Sequence, residues 1–272
     1  MMAKVTVVVP TYNEVENLRP LTERLFAAAS KAKLEVELVF AEDESVGTPA
    51  SVAIVTALEK EGYAVAMRVR RAREGRGLSS AVLLGFDAAR HDVLVCMDAD
   101  LQHEPESVPA VVAPVVSGAA DFAIGSRNVA DGGVGFEWSL KRQIISKGAT
   151  LLAMPLTAST DPMSGFFCVR KDTLAKGRSH CNPRGFKIAL EIMVRCRCKS
   201  VVDVPITFRD RAAGESKLTM RQNIDYVRQL IDLYCFLYKG YISAAAYAVV
   251  LLVLLFSWVA IQSWGGSREL SS

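Results

Sequence analysis

The first hundred residues alternate short apolar runs with longer segments of helical spacing. Residues 5–9 (VTVVV) are almost wholly β-branched and end at Pro10, as a buried strand does. Residues 17–30 then place Leu18, Leu21, Leu25 and Phe26 on one helical face. The pattern continues with a strand at 36–41, a helix at 51–61, a strand at 64–69 and a helix at 78–89. A strand at 92–97 (DVLVCM) stops at an acidic cluster. Strands and helices in this rhythm predict an α/β fold of parallel β-α units in a doubly wound sheet. Beyond residue 100 the pattern is less regular. It predicts a strand at 122–125, a helix at 138–154 and an alternating strand at 200–209. An amphipathic helix at 219–239 has Ile224, Val227, Ile231 and Leu233 on its apolar side.

Residues 240–267 contain no charged side chain, and their centre reads AYAVVLLVLLFSWVAI. At about 1.5 Å per residue such a helix crosses a hydrocarbon core of about 30 Å, so this segment is expected to be a membrane anchor. Tyr241, Tyr247, Trp258 and Trp264 lie towards its ends, where interfacial aromatics collect. Arg221, Arg228 and Lys239 precede the span and only Arg268 follows it, which places the main domain in the cytosol. The expected organisation is a catalytic domain at 1–218, an interface helix at 219–239, an anchor at 240–267 and a short tail at 268–272.

Composition adds little to this picture. The formal net charge is +3, from 32 basic and 29 acidic residues, and gives no ground for nucleic-acid binding. The six cysteines include no CxxC pair, so zinc spacing and a secreted disulfide framework are not expected, and reduced thiols are. The N-terminal run is too short and too strand-like for a signal peptide.

Ligands of doubly wound sheets sit at the carboxyl ends of the strands, and three polar segments follow strands directly: 11–14, 42–45 and 98–103. In the last of these, Asp98 and Asp100 are spaced to hold a divalent cation that binds a diphosphate, with Gln102 and His103 close behind. The plain alternative is a solvated turn. Tyr12 and Glu14 can face a nucleoside, or residues 13–16 can form a loose helix cap with Asn13 and Glu16. Glu44 reads equally as a solvated acidic turn. Arg127, Lys141, Arg142 and Ser146, and the Arg211–Lys217 pair around a Gly214-Glu215-Ser216 turn, are candidate contacts for anionic substrates or plain surface charges. The turn at 161–166 either lines an acceptor site or is a tight proline-glycine turn.

Taken in order, the segments VVVPTYNE, AEDES, RGLSSAVLLGF, CMDADLQHEPE, IGSR, LKRQIIS, DPMSGFF and GESKL closely resemble the dolichyl-phosphate mannosyltransferase family, inverting glycosyltransferases of the GT-A fold. The resemblance runs over residues 5–239, and the C-terminal anchor is similar to that of the family's single-subunit type, which implies no obligatory protein subunit. It implies transfer of mannose from GDP-mannose to dolichyl phosphate at the endoplasmic reticulum membrane, as a lipid-linked donor for protein glycosylation and GPI anchors. A polyprenyl-phosphate glucosyltransferase using UDP-glucose is the alternative. By the resemblance Pro10, Tyr12, Glu14, Ala41 and Asp43 contact the nucleoside, and Asp98, Ala99 and Asp100 take the diphosphate. Asp98, Asp100 and Gln102 hold Mg²⁺ or Mn²⁺. Arg127, Arg142 and Ser146 receive the acceptor phosphate, and Arg211 and Lys217 close over the donor. Asp100 and Arg127 are the expected catalytic residues. The chain departs from the family at Glu42, where two adjacent aspartates are usual.

Overall fold

The computed structural model describes residues 2–135, 140–182, 185–209 and 220–238, with the backbone alone at 140–145 and 220–221. The predicted anchor at 240–267, the tail, and residues 210–219 lie outside the described residues. Among the described residues no helix is long and apolar enough to cross a membrane.

In chain order the elements are β1 (Ala3–Thr11), α1 (Val15–Lys31), β2 (Leu34–Asp43), α2 (Thr48–Lys60), β3 (Val65–Arg70), α3 (Leu78–Ala88), β4 (Val93–Cys96) and α4 (Val108–Val116). They continue with β5 (Phe122–Ser126), β6 (Gly133–Val134), α5 (Leu140–Ala153), β7 (Phe167–Arg170), α6 (Lys171–Ala175), α7 (Ile188–Arg195), β8 (Val201–Pro205), β9 (Thr207–Phe208) and α8 (Met220–Leu237). The single strand expected at 200–209 is therefore two, broken at Ile206. The cap expected from Asn13 and Glu16 does not form: Glu14 holds the cap position of α1 and makes no side-chain cap bond.

Seven strands form one sheet in the order β3-β2-β1-β4-β7-β5-β8. All pairs are parallel except those of β7, which runs antiparallel between β4 and β5. β1 is buried on both faces, which is why it reads as an unbroken apolar run. Val5, Val7 and Val9 pack with Leu18, Leu21 and Leu25 of α1 on one face. Val8, Val39 and Leu94 pack with Val82 and Phe86 of α3 and with α7 on the other. Gly85 permits that second contact, since a Cβ there would come within 2.3 Å of Val8 Cγ1. The chain starts outward through β1, β2 and β3, then resumes at β4 on the opposite side of β1. A crevice at that reversal is where α/β sheets bind ligands.

α8 docks through one stripe and leaves another outside. Leu230 and Leu233 are buried against the domain, and Tyr234 Oη donates to Leu152 O near the end of α5 (2.9 Å). Ile224 and Ile231 are 49% and 38% exposed. The four residues expected on one apolar side are thus divided between two, because docking uses the 226, 230, 233 stripe.

A buried charged network fixes α8 to α7. Glu191 is fully buried and accepts from Arg195 Nε (3.1 Å), Asn182 N (2.9 Å) and Gln229 Nε2 (2.9 Å). Arg195 also pairs with Asp232 of α8 and lies 4.5 Å over the Phe236 ring. Removing one partner strands a buried charge, which costs about 3–5 kcal/mol. Glu191→Ala is therefore expected to lower the unfolding free energy by about that amount, read from denaturant midpoints in detergent. An exposed control such as Glu35→Ala is expected to change it by less than about 1 kcal/mol.

Candidate active site

A cavity of about 600 Å³ opens over the carboxyl ends of β1 and β4. Pro10, Tyr12 and Glu14 reach it from the end of β1, Asp43 from the end of β2, and residues 98–103 in part from the end of β4. Arg127 at the end of β5, Ser146 of α5, the turn before β7 and the first turns of α8 form the opposite wall. The three strand ends expected to share one rim do share it.

The carboxylate wall is built by the loop after β4. Asp100 is buried and accepts from the Gln102 backbone N–H (3.2 Å), so the loop turns back on itself. Gln102 Nε2 donates to Arg209 O (3.0 Å), while Arg209 N donates to Gln102 O (3.0 Å). Gln102 brings an amide oxygen, a hard donor, to the same wall. Two carboxylates and an amide oxygen suit Mg²⁺ or Mn²⁺, which prefer oxygen ligands and keep positions for phosphate and water. Asp98 is half-buried at 33% exposure. Gly165 lies against it, and a Cβ there would meet its carboxylate oxygens at 3.0 and 3.1 Å.

His103 supports this wall from behind. It is buried between Phe166 and Phe208 (5.3 and 5.2 Å between ring centres), and its Nδ1 accepts from the Asp98 backbone N–H (3.4 Å). Burial is the main cause that lowers its pKa from 6.5 to about 4; Asp100 opposes the shift and Arg127 adds to it. His103 is therefore a neutral acceptor at physiological pH.

The cationic wall faces it. Arg127 forks onto Asp161 through Nε (2.7 Å) and Nη2 (2.8 Å), its backbone N–H donates to the same carboxylate (3.1 Å), and its guanidinium lies 5.1 Å over Phe208. Asp161 is held in turn because Asp203 anchors the preceding residues, accepting from Ser159 Oγ and Thr160 N at 2.7 Å each. Lys187 completes the wall, donating from Nζ to Met163 O (3.0 Å). Burial and then Arg127 push its pKa down, while Asp98 and Asp161 pull it back.

At the β2 end of the cavity, Asp43 accepts from Arg70 Nε (2.6 Å) and from Gly77 N (2.8 Å), and Arg70 also bonds Ser80 (2.5 Å). Asp43 thus fixes the loop that carries Arg76, whose guanidinium lies 5.6 Å from the Tyr12 ring centre. Glu42 turns away from the cavity. It follows Phe40 on the α1–α2 face and is fully buried, with Oε1 accepting from Thr48 Oγ1 (2.8 Å) and Ser45 Oγ (3.2 Å). The departure from two aspartates is accommodated as a tie to the start of α2. Ala41 does not line the cavity; it is buried in the core with Val39 and Ala81.

Of the expected site residues, Pro10, Tyr12, Glu14, Asp43, Asp98, Ala99, Asp100, Gln102, Arg127 and Ser146 line one cavity. The Arg142 side chain, Arg211 and Lys217 lie outside the described residues. Sequence reasoning missed the cavity positions of Arg76, Phe186, Lys187 and Tyr226. Arg76 had a signal in the RGLSS segment, whereas a single lysine before a short helix carries none.

The family model for glycosyl transferase family 2 matches residues 6–177. The dolichol-phosphate mannosyltransferase of Mycosarcoma maydis is 42% identical over 260 residues, covering 93% of this chain and 86% of that one. The dolichol-phosphate mannosyltransferase of Saccharomyces cerevisiae is 43% identical over 247 residues, covering 87% and 89%. The chain belongs to the dolichol-phosphate mannosyltransferases of glycosyl transferase family 2. Mannosyl-3-phosphoglycerate synthase from Rubrobacter xylanophilus shares the fold with a TM-score of 0.61 at 14% identity, over 85% of this chain and 74% of that one. Glucosyl-3-phosphoglycerate synthase from Mycobacterium tuberculosis, solved with Mn²⁺, UDP and phosphoglyceric acid, does so at 0.55 and 15%, over 86% and 78%. The mannosyltransferase domain is thus an α/β GT-A fold whose strand ends converge on one cavity.

The depressed His103 pKa makes this site acid-sensitive. Above pH 6.5 the imidazole is neutral in folded and unfolded chains alike. As pH falls from 6.5 to about 4 the unfolded chain takes up the proton first, so stability drops by about 3 kcal/mol over that window. The unfolding free energy of a His103→Gln variant is expected to vary less with pH across that window than that of the wild type; parallel curves would contradict the buried-neutral assignment.

Proposed function

We propose that the chain transfers mannose from GDP-mannose to dolichyl phosphate with inversion at the anomeric carbon, giving dolichyl β-D-mannosyl phosphate. The observation that carries this reading is one cavity with an oxygen-rich carboxylate wall at Asp98, Asp100 and Gln102 and a cationic wall at Arg127. The two walls suit two anions, a diphosphate bridged by a divalent ion and a phosphate monoester. Tyr12 and Arg76 offer stacking to the nucleoside.

In this reading Arg127 and Ser146 hold the lipid phosphate so that one oxygen faces C1 of mannose. Its electron pair forms the new C1–O bond while the bond from C1 to the diphosphate breaks and its electrons leave with GDP. No proton need move, because a phosphate monoester with a second pKa of about 6 is ionised near neutral pH. A bound Mg²⁺ or Mn²⁺ supplies positive charge to the departing diphosphate. His103 holds the Asp98 backbone, Gly165 lies against its carboxylate, and Asp161 holds Arg127.

We place the enzyme on the endoplasmic reticulum membrane with this domain in the cytosol. The outward Ile224 and Ile231 stripe of α8, the exposed Arg228 beside it and the uncharged 240–267 segment all suit a bilayer surface. Tyr226 of the same helix lines the cavity, so a lipid head group at the surface needs little travel to reach it.

Two measurements test the proposal. Purified full-length protein with Mg²⁺ or Mn²⁺, dolichyl phosphate and radiolabelled GDP-mannose is expected to yield a mannosyl lipid, and UDP-glucose none. Failure to consume GDP-mannose, or preference for UDP-glucose, would sink the donor assignment. Asp100→Ala is expected to cut turnover by roughly a hundredfold or more, with the loss not recovered by raising the metal concentration. Wild-type turnover in that variant would remove the metal assignment.

A further inference from the structure

Arg76, Arg127 and Lys187 are cations lining the cavity among the described residues, and they are partnered differently. Arg76 Nη2 donates to Glu44 O (2.9 Å) at the nucleoside rim. Arg127 is forked onto Asp161, and the two charges of that pair sum to zero. The Lys187 ammonium donates to the Met163 carbonyl, and among the described residues no carboxylate lies within ion-pair distance of it. A carbonyl takes one of its three N–H donors and none of its charge.

The segment that carries Lys187 is held from two sides. Ser79 Oγ of α3 donates to Gly185 O (2.7 Å), and Gln229 Nε2 of α8 donates to Lys187 O (3.2 Å). Gly185 has φ +79°, a conformation that glycine takes without strain. The ammonium is thus seated in a fixed place and desolvated, with Asp98 and Asp161 acting on it only from beyond ion-pair distance, an arrangement that costs free energy in the empty protein. That cost is offset when an anion enters.

The charge balance identifies the anion. A phosphate monoester carries about −1.5 to −2 at neutral pH, more than the Arg127–Asp161 pair can neutralise. The donor diphosphate would have its own positive partner in a divalent ion held by Asp98, Asp100 and Gln102. Arg76 stands at the far rim beside Tyr12, so the net positive charge that the described residues offer to the acceptor phosphate comes from Lys187.

We infer that Lys187 is a further catalytic residue, whose ammonium binds an oxygen of the acceptor lipid phosphate between the Arg127 wall and Asp98. This inference rests on the lipid-phosphate mannosyl transfer proposed above. The lysine shares the anion with Arg127 and sets the attacking oxygen at the junction of the two walls, where the anomeric carbon must lie. It forms no covalent bond and transfers no proton.

The test uses full-length protein with dolichyl phosphate, GDP-mannose and Mn²⁺, comparing wild type, Lys187→Gln and Lys187→Arg. Lys187→Gln is expected to lower kcat/KM for dolichyl phosphate roughly thirtyfold or more, mostly through KM, with GDP affinity by calorimetry changed less than about twofold. Lys187→Arg is expected to recover a substantial part of that loss. Unchanged acceptor kinetics in Lys187→Gln would overturn the inference. So would an equal loss of GDP affinity, which would move Lys187 to the donor. If Lys187→Gln does not fold, Lys187→Met takes its place: a raised acceptor KM with intact GDP affinity supports the role, and wild-type acceptor KM overturns it. A wild-type enzyme that forms no mannosyl lipid would instead bring down the transfer reading itself, and the role of Lys187 with it.

Discussion

One short turn, residues 159–166, seats the charged side chains on which this site depends. Asp161 takes the Arg127 fork, the Met163 carbonyl takes the Lys187 ammonium, and Gly165 lies against the Asp98 carboxylate. Opposite charges in a small cavity attract strongly where water is scarce, so their placement depends on fixed partners. The turn gives Arg127, Lys187 and Asp98 each a different contact. It is anchored to β8 by Asp203, so its position is set by the sheet and not by the loop alone.

The sheet serves the same end. Because β4 lies beside β1 and the chain reverses its progression there, the loops after β1, β2 and β4 open onto one crevice. β7, inserted antiparallel between β4 and β5, begins where the turn ends, and Phe167 stacks on Phe122 (5.1 Å) and meets Phe86 edge-on. That packing ties the turn to the core. α8 then closes the wall opposite the carboxylates, and its buried bonds to Glu191 and Arg195 make it part of the domain while its other stripe stays outside.

The parts legible in the sequence are those with a simple physical signature. β1, β2 and β4 are long or sharply stopped apolar runs, so their ends, and Asp98 and Asp100 with them, could be placed. α4 carries Pro114 inside it, which reads against a helix. α7 is buried on every side, charges included, so IALEIMVR shows no polar face to reveal its period. β7 has four residues, too few for alternation to register. Ala41 was expected at the nucleoside but its Cβ faces the core. Lys187 was invisible because its role comes from contacts with residues 24 and 42 positions away in the chain.

The most direct test is a crystal of the protein with Mn²⁺ and GDP, read by anomalous scattering at the manganese edge. This account places one peak within coordination distance of oxygens from Asp98, Asp100 and Gln102, with the diphosphate bound to it and Arg127 still forked onto Asp161 across the cavity. A manganese peak elsewhere, or a diphosphate resting on Arg127 instead, would contradict the division of the cavity into a donor wall and an acceptor wall.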